Sequence, residues 1–294
     1  MSKNNIEYKQ RITAFVDILG FKNIVESTIS NKIIDSSKVQ DIGEVLLYAI
    51  DELKEFTGGG IENNTFRFSH FSDSFVVSRV IETRYDIMLF FIALSNIMDA
   101  LRTSRMLVRG GVTIGELMHD HGLLFGPALN RAYKLESKHA IVPRIIVDEN
   151  LEKEFPEIDD VGGRTDLPEF NYCSFRDHVL DEMFFSVDDD GATYVDQFKA
   201  IMSKAFFVIP GHMSALRGII NQIPESTESL LKKKIWLINK YNKAISNFCT
   251  DSFQSRLEDK MEDHSYITEL DAQEMIRDAF EMKKELLLPQ SVLQ

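Results

Sequence analysis

Residues 65–80 read TFRFSHFSDSFVVSRV: two strand-like runs, 65–71 and 74–80, with only Ser72 and Asp73 between them. Two residues suffice to reverse a chain between antiparallel strands, whereas parallel strands need a long crossover. A tight hairpin among helical segments therefore favours an α+β sandwich over a doubly wound sheet. It also places Asp73 at a hairpin tip, where a loop can present it.

Working outward, residues 11–19 read as a buried strand ending at Gly20, which leaves Asp17 near a strand's end; a helical pattern follows over 21–30. A second helix fits 38–56, with Ile42, Val45, Leu46, Ala49, Ile50 and Leu53 on one face and Gly58, Gly59 and Gly60 after it. Beyond the hairpin, 85–105 is helical, 107–117 is a strand with three glycines, and Gly126-Pro127 opens a helix to about Lys138. Residues 143–147 form another buried strand, and 184–195, broken by Asp188-Asp189-Asp190-Gly191, a closing hairpin. From Gln197 the chain turns mostly helical, with apolar periodicity over 230–248 and 275–288. The expected organisation is a mostly antiparallel sheet flanked by helices, 8–196, with a helical C-terminal extension, 197–294.

A length of 294 residues and 44% hydrophobic content support a substantial core. The net charge of −13 and the lack of a basic tract argue against polymeric nucleic acid as a partner. Cys173 and Cys249 lack the spacing of a zinc site or a disulfide scaffold, and the most apolar stretch, 87–98, is too short to cross a bilayer. We expect a cytoplasmic protein with no membrane segment.

Asp17 and Asp73 are lone acids in apolar strand contexts, where an unpaired carboxylate is costly to bury, so something cationic should stand beside them. Taken singly, either could cap a turn or a helix. On the 127–138 helix, Asn130 and Lys134 lie one turn apart and face the same way. An amide and a cation on one face suit a transition state with an oxygen to orient and charge to offset, although a solvated helix face looks the same. Gly110 and Gly111 fall inside a strand pattern with no Gly-Lys-Ser/Thr following, which favours close backbone packing over a phosphate loop. Arg109 reads equally as a triphosphate contact or a structural ion pair. His119-Asp120-His121 reads as an exposed hairpin turn rather than a metal site.

The segments AFVDILGF (14–21), FSHFSDSF (68–75), VRGGVTIGEL (108–117) and FGPALNRAYKLE (125–136), in that order, resemble the successive motifs of class III adenylyl and guanylyl cyclases. The resemblance covers residues 11–147 and is carried by Asp17, Ile18, Gly20, Phe21, Asp73 and Asn130. It implies two Mn²⁺ or Mg²⁺ ions on Asp17 and Asp73 with the Ile18 carbonyl as a further ligand, Asn130 orienting the ribose, Phe21 at the nucleotide, and a head-to-tail homodimer with its sites between subunits. Lys134 stands where the family usually has arginine, and keeps the charge without the planar fork. Arg131 lies nearby in sequence but about 100° around the helix. Ser72 replaces the glycine before the metal aspartate.

Ser69 and Leu123 occupy the positions of the family's base-reading side chains, and neither matches the usual readers of adenine or guanine. Of the class III-like enzymes, the bacterial pyrimidine cyclases of the Pycsar anti-phage systems are those the sequence resembles most. That implies conversion of UTP or CTP to cyclic UMP or cyclic CMP plus pyrophosphate, as an alarm signal for an effector. The Ser69 hydroxyl can donate or accept, so it suits uracil and cytosine alike. The alternatives are a purine cyclase and a catalytically silent, nucleotide-binding module. A diguanylate cyclase is disfavoured because its Gly-Gly-acid-acid-Phe signature is missing from the hairpin.

Overall fold

The computed structural model describes residues 6–30, 32–55, 65–149, 151, 180, 183–202, 208–246, 248 and 269–287. The Gly58–Gly60 run, Cys173 and Cys249 lie outside them. The chain divides into two compact units, Met1–Asp196 and Gln197–Gln294.

In the first unit β1 (Lys9–Ile18) leads into α1 (Phe21–Glu26), the short strands β2 (Ile29–Ser30) and β3 (Ile33–Ile34), and α2 (Ser36–Glu55). Then come β4 (Phe66–Phe71), β5 (Ser74–Val80), α3 (Arg84–Thr103), β6 (Val108–Asp120), β7 (Leu123–Phe125), α4 (Pro127–His139), β8 (Ile145–Val147), β9 (Phe185–Val187) and β10 (Thr193–Val195). The main sheet runs β4-β5-β1-β6-β8-β10-β9, with β7 paired to β6; the β6–β8 pair is parallel and the others are antiparallel. This is the expected α+β architecture.

Residues 11–16 of β1 are buried without alternation, as befits a central strand packed on both faces. One face carries the main core, where Ile12, Ala14, Val16, Phe75 and Val77 meet Ile87, Phe90, Phe91, Leu94 and Ile97 of α3. Each large apolar side chain buried there contributes about 1.5–3 kcal/mol. Ile42, Val45 and Leu46 of α2 pack against the same cluster. A capping box starts α3, the Asp86 carboxylate accepting from the Thr83 backbone N–H at 2.8 Å.

The other face is covered by α4, which packs on β6 and β1. Its Ala132 meets Phe15 and Val76. Gly111 permits this approach: a Cβ there would stand 2.5 Å from the Ala132 carbonyl oxygen. The glycine pair thus serves backbone packing, as its strand context indicated.

Two local readings are corrected. The helix expected over 21–30 stops at Glu26, because the Ser27 and Thr28 hydroxyls donate to the Ile24 and Val25 carbonyls at 2.7 Å and the chain turns into the β2–β3 ribbon. His119-Asp120-His121 is not an exposed turn. Strand β6 continues through Asp120, His119 is 5% exposed, and the turn falls at His121-Gly122, both with positive φ.

The second unit contains α5 (Gln197–Met202), α6 (Ile209–Gln222), α7 (Glu228–Ser246) and α8 (Glu269–Met282). Within it α6 packs on α8, and the buried Tyr241 hydroxyl donates to the Met282 carbonyl at 2.8 Å. Among the described residues no helix is long and apolar enough to cross a membrane.

Candidate functional site

Strand register brings the two aspartates to one end of the sheet. Asp17 lies opposite Ser74 on β5 and Arg109 on β6, and the Ile18 N–H donates to the Asp73 carbonyl at 2.7 Å. Asp73 is the second residue of the β4–β5 turn; the first, Ser72, has φ 59°. A tight hairpin often demands positive φ there, which explains why glycine suits that position and serine carries some strain.

Arg109 connects the aspartate to helix α4. Its Nε donates to Asp17 Oδ2 at 2.9 Å, and its Nη2 lies 2.9 Å from Glu136 Oε1, an ion pair outside good hydrogen-bond geometry. The Glu136 side chain is 5% exposed. Burial raises its pKa, and the negative charges of Asp17 and Asp73 raise it further against the opposing pull of Arg109. Asp17 and Glu136 thus share one guanidinium while Asp73 adds its charge nearby, an excess of negative charge that a divalent cation would neutralise. Among the described residues no three His, Cys, Asp or Glu side chains are grouped closely enough to hold a metal ion. Asp17 and Asp73 fit ions that take their remaining ligands from phosphate and water, as Mg²⁺ does in nucleotide sites.

Glu136 escaped the sequence reading because it sits in a helix with a polar outer face. Its signal was spacing: Ala128, Ala132 and Glu136, four residues apart, are the buried residues of α4. Asn130 and Lys134 are exposed on the opposite side of that helix, away from the Glu136 carboxylate. A single chain thus brings Asp17, Asp73 and Arg109 together but not Asn130 and Lys134 with them. Arg131 is committed elsewhere, to Asp148, which also accepts from Thr113. That leaves Lys134, one turn from Asn130, as an exposed cation of this helix face.

The remaining predicted contacts divide between core and surface. Phe21 is 7% exposed and packs in the core, its ring edge-on to His70 at 6.4 Å. Leu123 is 39% exposed, beside the β6–β7 turn. Ser69, on the α4 face of β4, bonds His119 Nε2 at 2.9 Å, and Ser78 bonds His119 Nδ1 at 2.8 Å. Burial, then the charges of Arg11 and Arg67, push the imidazole pKa down to about 4. Phe15 lies between Asp17 and this cluster, with the rings of Phe71 and Tyr133 at 6.0 and 5.2 Å.

No protein-family model matches the chain, and no curated protein sequence matches it. Among solved structures it is similar to a bacterial light-regulated adenylyl cyclase at 15% identity over 51% of this chain and 46% of that one, TM-score 0.37. A second structure of a bacterial light-regulated adenylyl cyclase gives 13% identity over 72% and 99%, TM-score 0.40. The catalytic core of a rhodopsin-guanylyl cyclase with converted specificity, in complex with ATPαS, gives 15% over 64% and 94%, TM-score 0.35. The chain spans about half the length of the first of these. With every TM-score below 0.5, the functional reading is built on the residues of the site.

Proposed function

We propose that the chain is a metal-dependent nucleotide cyclase. The observation that carries this is the convergence of Asp17 and Asp73 at one sheet end, beside Arg109 and the buried Glu136. More narrowly, we read it as a pyrimidine nucleotide cyclase, converting UTP or CTP to cyclic UMP or cyclic CMP and pyrophosphate. Ser69 and Leu123, in place of the usual purine readers, support that choice, and resemblance to the Pycsar enzymes supports an anti-phage alarm role.

In this reaction the ribose 3′-oxygen bonds to the α-phosphorus, its proton is lost, and the bond to pyrophosphate breaks. Two Mn²⁺ or Mg²⁺ ions bound at Asp17 and Asp73 would supply charge neutralisation at the attacking and leaving oxygens. Arg109, tied to Glu136, can offer its charge to the triphosphate once Asp17 serves a cation. Asn130 orients a ribose oxygen, and Lys134 offsets charge on the α-phosphate. Because these two face away from Asp17 of their own chain, a second copy supplies them, which is the arrangement a head-to-tail homodimer gives.

The test is purified protein with Mn²⁺ and each of the four nucleoside triphosphates, followed by release of pyrophosphate and a cyclic monophosphate. Asp17→Asn or Asp73→Asn should abolish product while the circular dichroism spectrum is kept. Mixing Asp17→Asn with Lys134→Ala should restore activity, since mixed dimers regain one intact site. Turnover of ATP or GTP alone would move the substrate to purines, and no turnover at all would remove the enzyme reading.

A further inference from the structure

Behind Ser69, the α4 face of the sheet carries a chain of buried hydrogen bonds outside the metal and phosphate machinery. Arg11 Nε donates to Ser78 Oγ at 2.9 Å, Ser78 Oγ meets His119 Nδ1 at 2.8 Å, and His119 Nε2 meets Ser69 Oγ at 2.9 Å. Arg11, Ser78 and His119 are 3%, 0% and 5% exposed. A hydrogen left unpaired at such depth is costly, so the chain has a preferred polarity.

The arginine is always a donor, so Ser78 accepts from it. If His119 Nδ1 also carried a hydrogen, Ser78 would accept twice, and its own buried hydrogen would find no acceptor among the hydrogen bonds of the described residues. Every hydrogen is satisfied when Ser78 donates to a bare Nδ1. The neutral ring then carries its hydrogen on Nε2 and donates it to Ser69. A neutral ring is also what burial beside Arg11 and Arg67 favours. Ser69 therefore accepts from within, and its hydroxyl hydrogen is left to point outward.

Its position suits a nucleoside base. Ser69 pairs with Val76 and Val76 with Phe15, two residues along the strands from the Asp17–Ser74 pair. Strand spacing puts it about 12 Å from Asp17, with the Phe15 ring between, on the face that bears Arg109. Resting on the pyrimidine cyclase reading, we infer that the Arg11–Ser78–His119 relay fixes Ser69 as a hydrogen-bond donor to the base, so that the enzyme selects UTP over CTP. Aimed at the C4 substituent, that hydrogen meets the O4 acceptor in uracil, whereas in cytosine it meets an amino group and is left unpaired. His119 is a positioning residue in this scheme; of the relay, Ser69 alone touches the substrate.

Steady-state kcat/KM for UTP and CTP tests the relay. The wild-type enzyme should favour UTP by about tenfold or more. Ser69→Ala should bring the ratio near one, chiefly by loss on UTP. His119→Phe frees Ser69 to accept instead and should bring the ratio near one by gain on CTP relative to UTP, which a general structural defect would not do. His119→Gln, whose amide can accept from Ser78 and donate to Ser69, should keep the UTP preference.

Turnover of CTP at least as efficient as that of UTP overturns the inference and leaves the pyrimidine cyclase standing, as does a ratio unmoved by Ser69→Ala. Turnover of ATP or GTP alone sinks both. If no triphosphate turns over, the cyclase reading fails, and calorimetry with α,β-methylene UTP and CTP in Mn²⁺ still decides the relay: tighter binding of the UTP analogue supports it, equal or weaker binding overturns it.

Discussion

Arg109 on β6 and Glu136 on α4 lie 2.9 Å apart, and the same guanidinium donates to Asp17. Glu136 thus competes with Asp17 for the same guanidinium. Glu136→Gln would leave Arg109 wholly to Asp17 and remove negative charge from the site, both of which oppose a metal ion. The Mn²⁺ concentration for half-maximal activity should rise roughly three- to tenfold. A metal titration of wild type and variant measures this, and an unchanged midpoint would separate Glu136 from the metal site.

His119 links stability to pH. Its pKa falls from 6.5 to about 4 in the folded chain, through burial and then the charges of Arg11 and Arg67. The unfolded chain therefore binds the proton first. The contribution is complete above pH 6.5 and is lost as pH falls through 4, on the order of 3 kcal/mol in all. Urea midpoints across this range should fall less steeply in His119→Gln than in wild type; parallel slopes would contradict the assignment.

Gly111→Ala would drive a methyl group to 2.5 Å from the Ala132 carbonyl. Because the obstacle is helix backbone, α4 must shift, at a cost of about 2–3 kcal/mol. That helix carries Asn130, Lys134 and Glu136, so activity should fall by more than the loss of folded protein accounts for. Chemical denaturation together with activity per folded molecule separates the two effects.

Arg144, 2% exposed, binds Asp188 and Asp190 in the β9–β10 turn. Arg144→Met strands the Asp188 carboxylate and should cost about 3–5 kcal/mol. A thermal melt reads this directly, and a loss under 1 kcal/mol would show that water replaces the guanidinium.

Much of the first unit was legible because its signals are local. The Ser72-Asp73 turn separates two strand-like runs, and Gly126-Pro127 marks a helix start with Pro127 at the first turn. Glu136 and His119 were less legible because each takes its meaning from a partner distant in sequence. Glu136 reads as a surface acid until α4 is laid over Gly111, and His119 reads as a turn residue until β6 is extended past β1 to pair with β7. Alternation held the clue for the histidine: Thr113, Gly115, Leu117 and His119 fall on one side of the strand. Lys134 was legible as a cation, but its outward face depends on which side of α4 the glycines admit.

The opposite facing of Glu136 and Asn130 on α4 has a consequence for the living cell. If each working site is assembled from two chains, a lone chain carries only halves of two sites, and output depends on how often copies meet. Below the pairing constant, turnover should climb with the square of protein concentration. Scarcity would then keep the activity low without any inhibitor, and a local rise in copy number, or any surface that gathers copies together, would raise it.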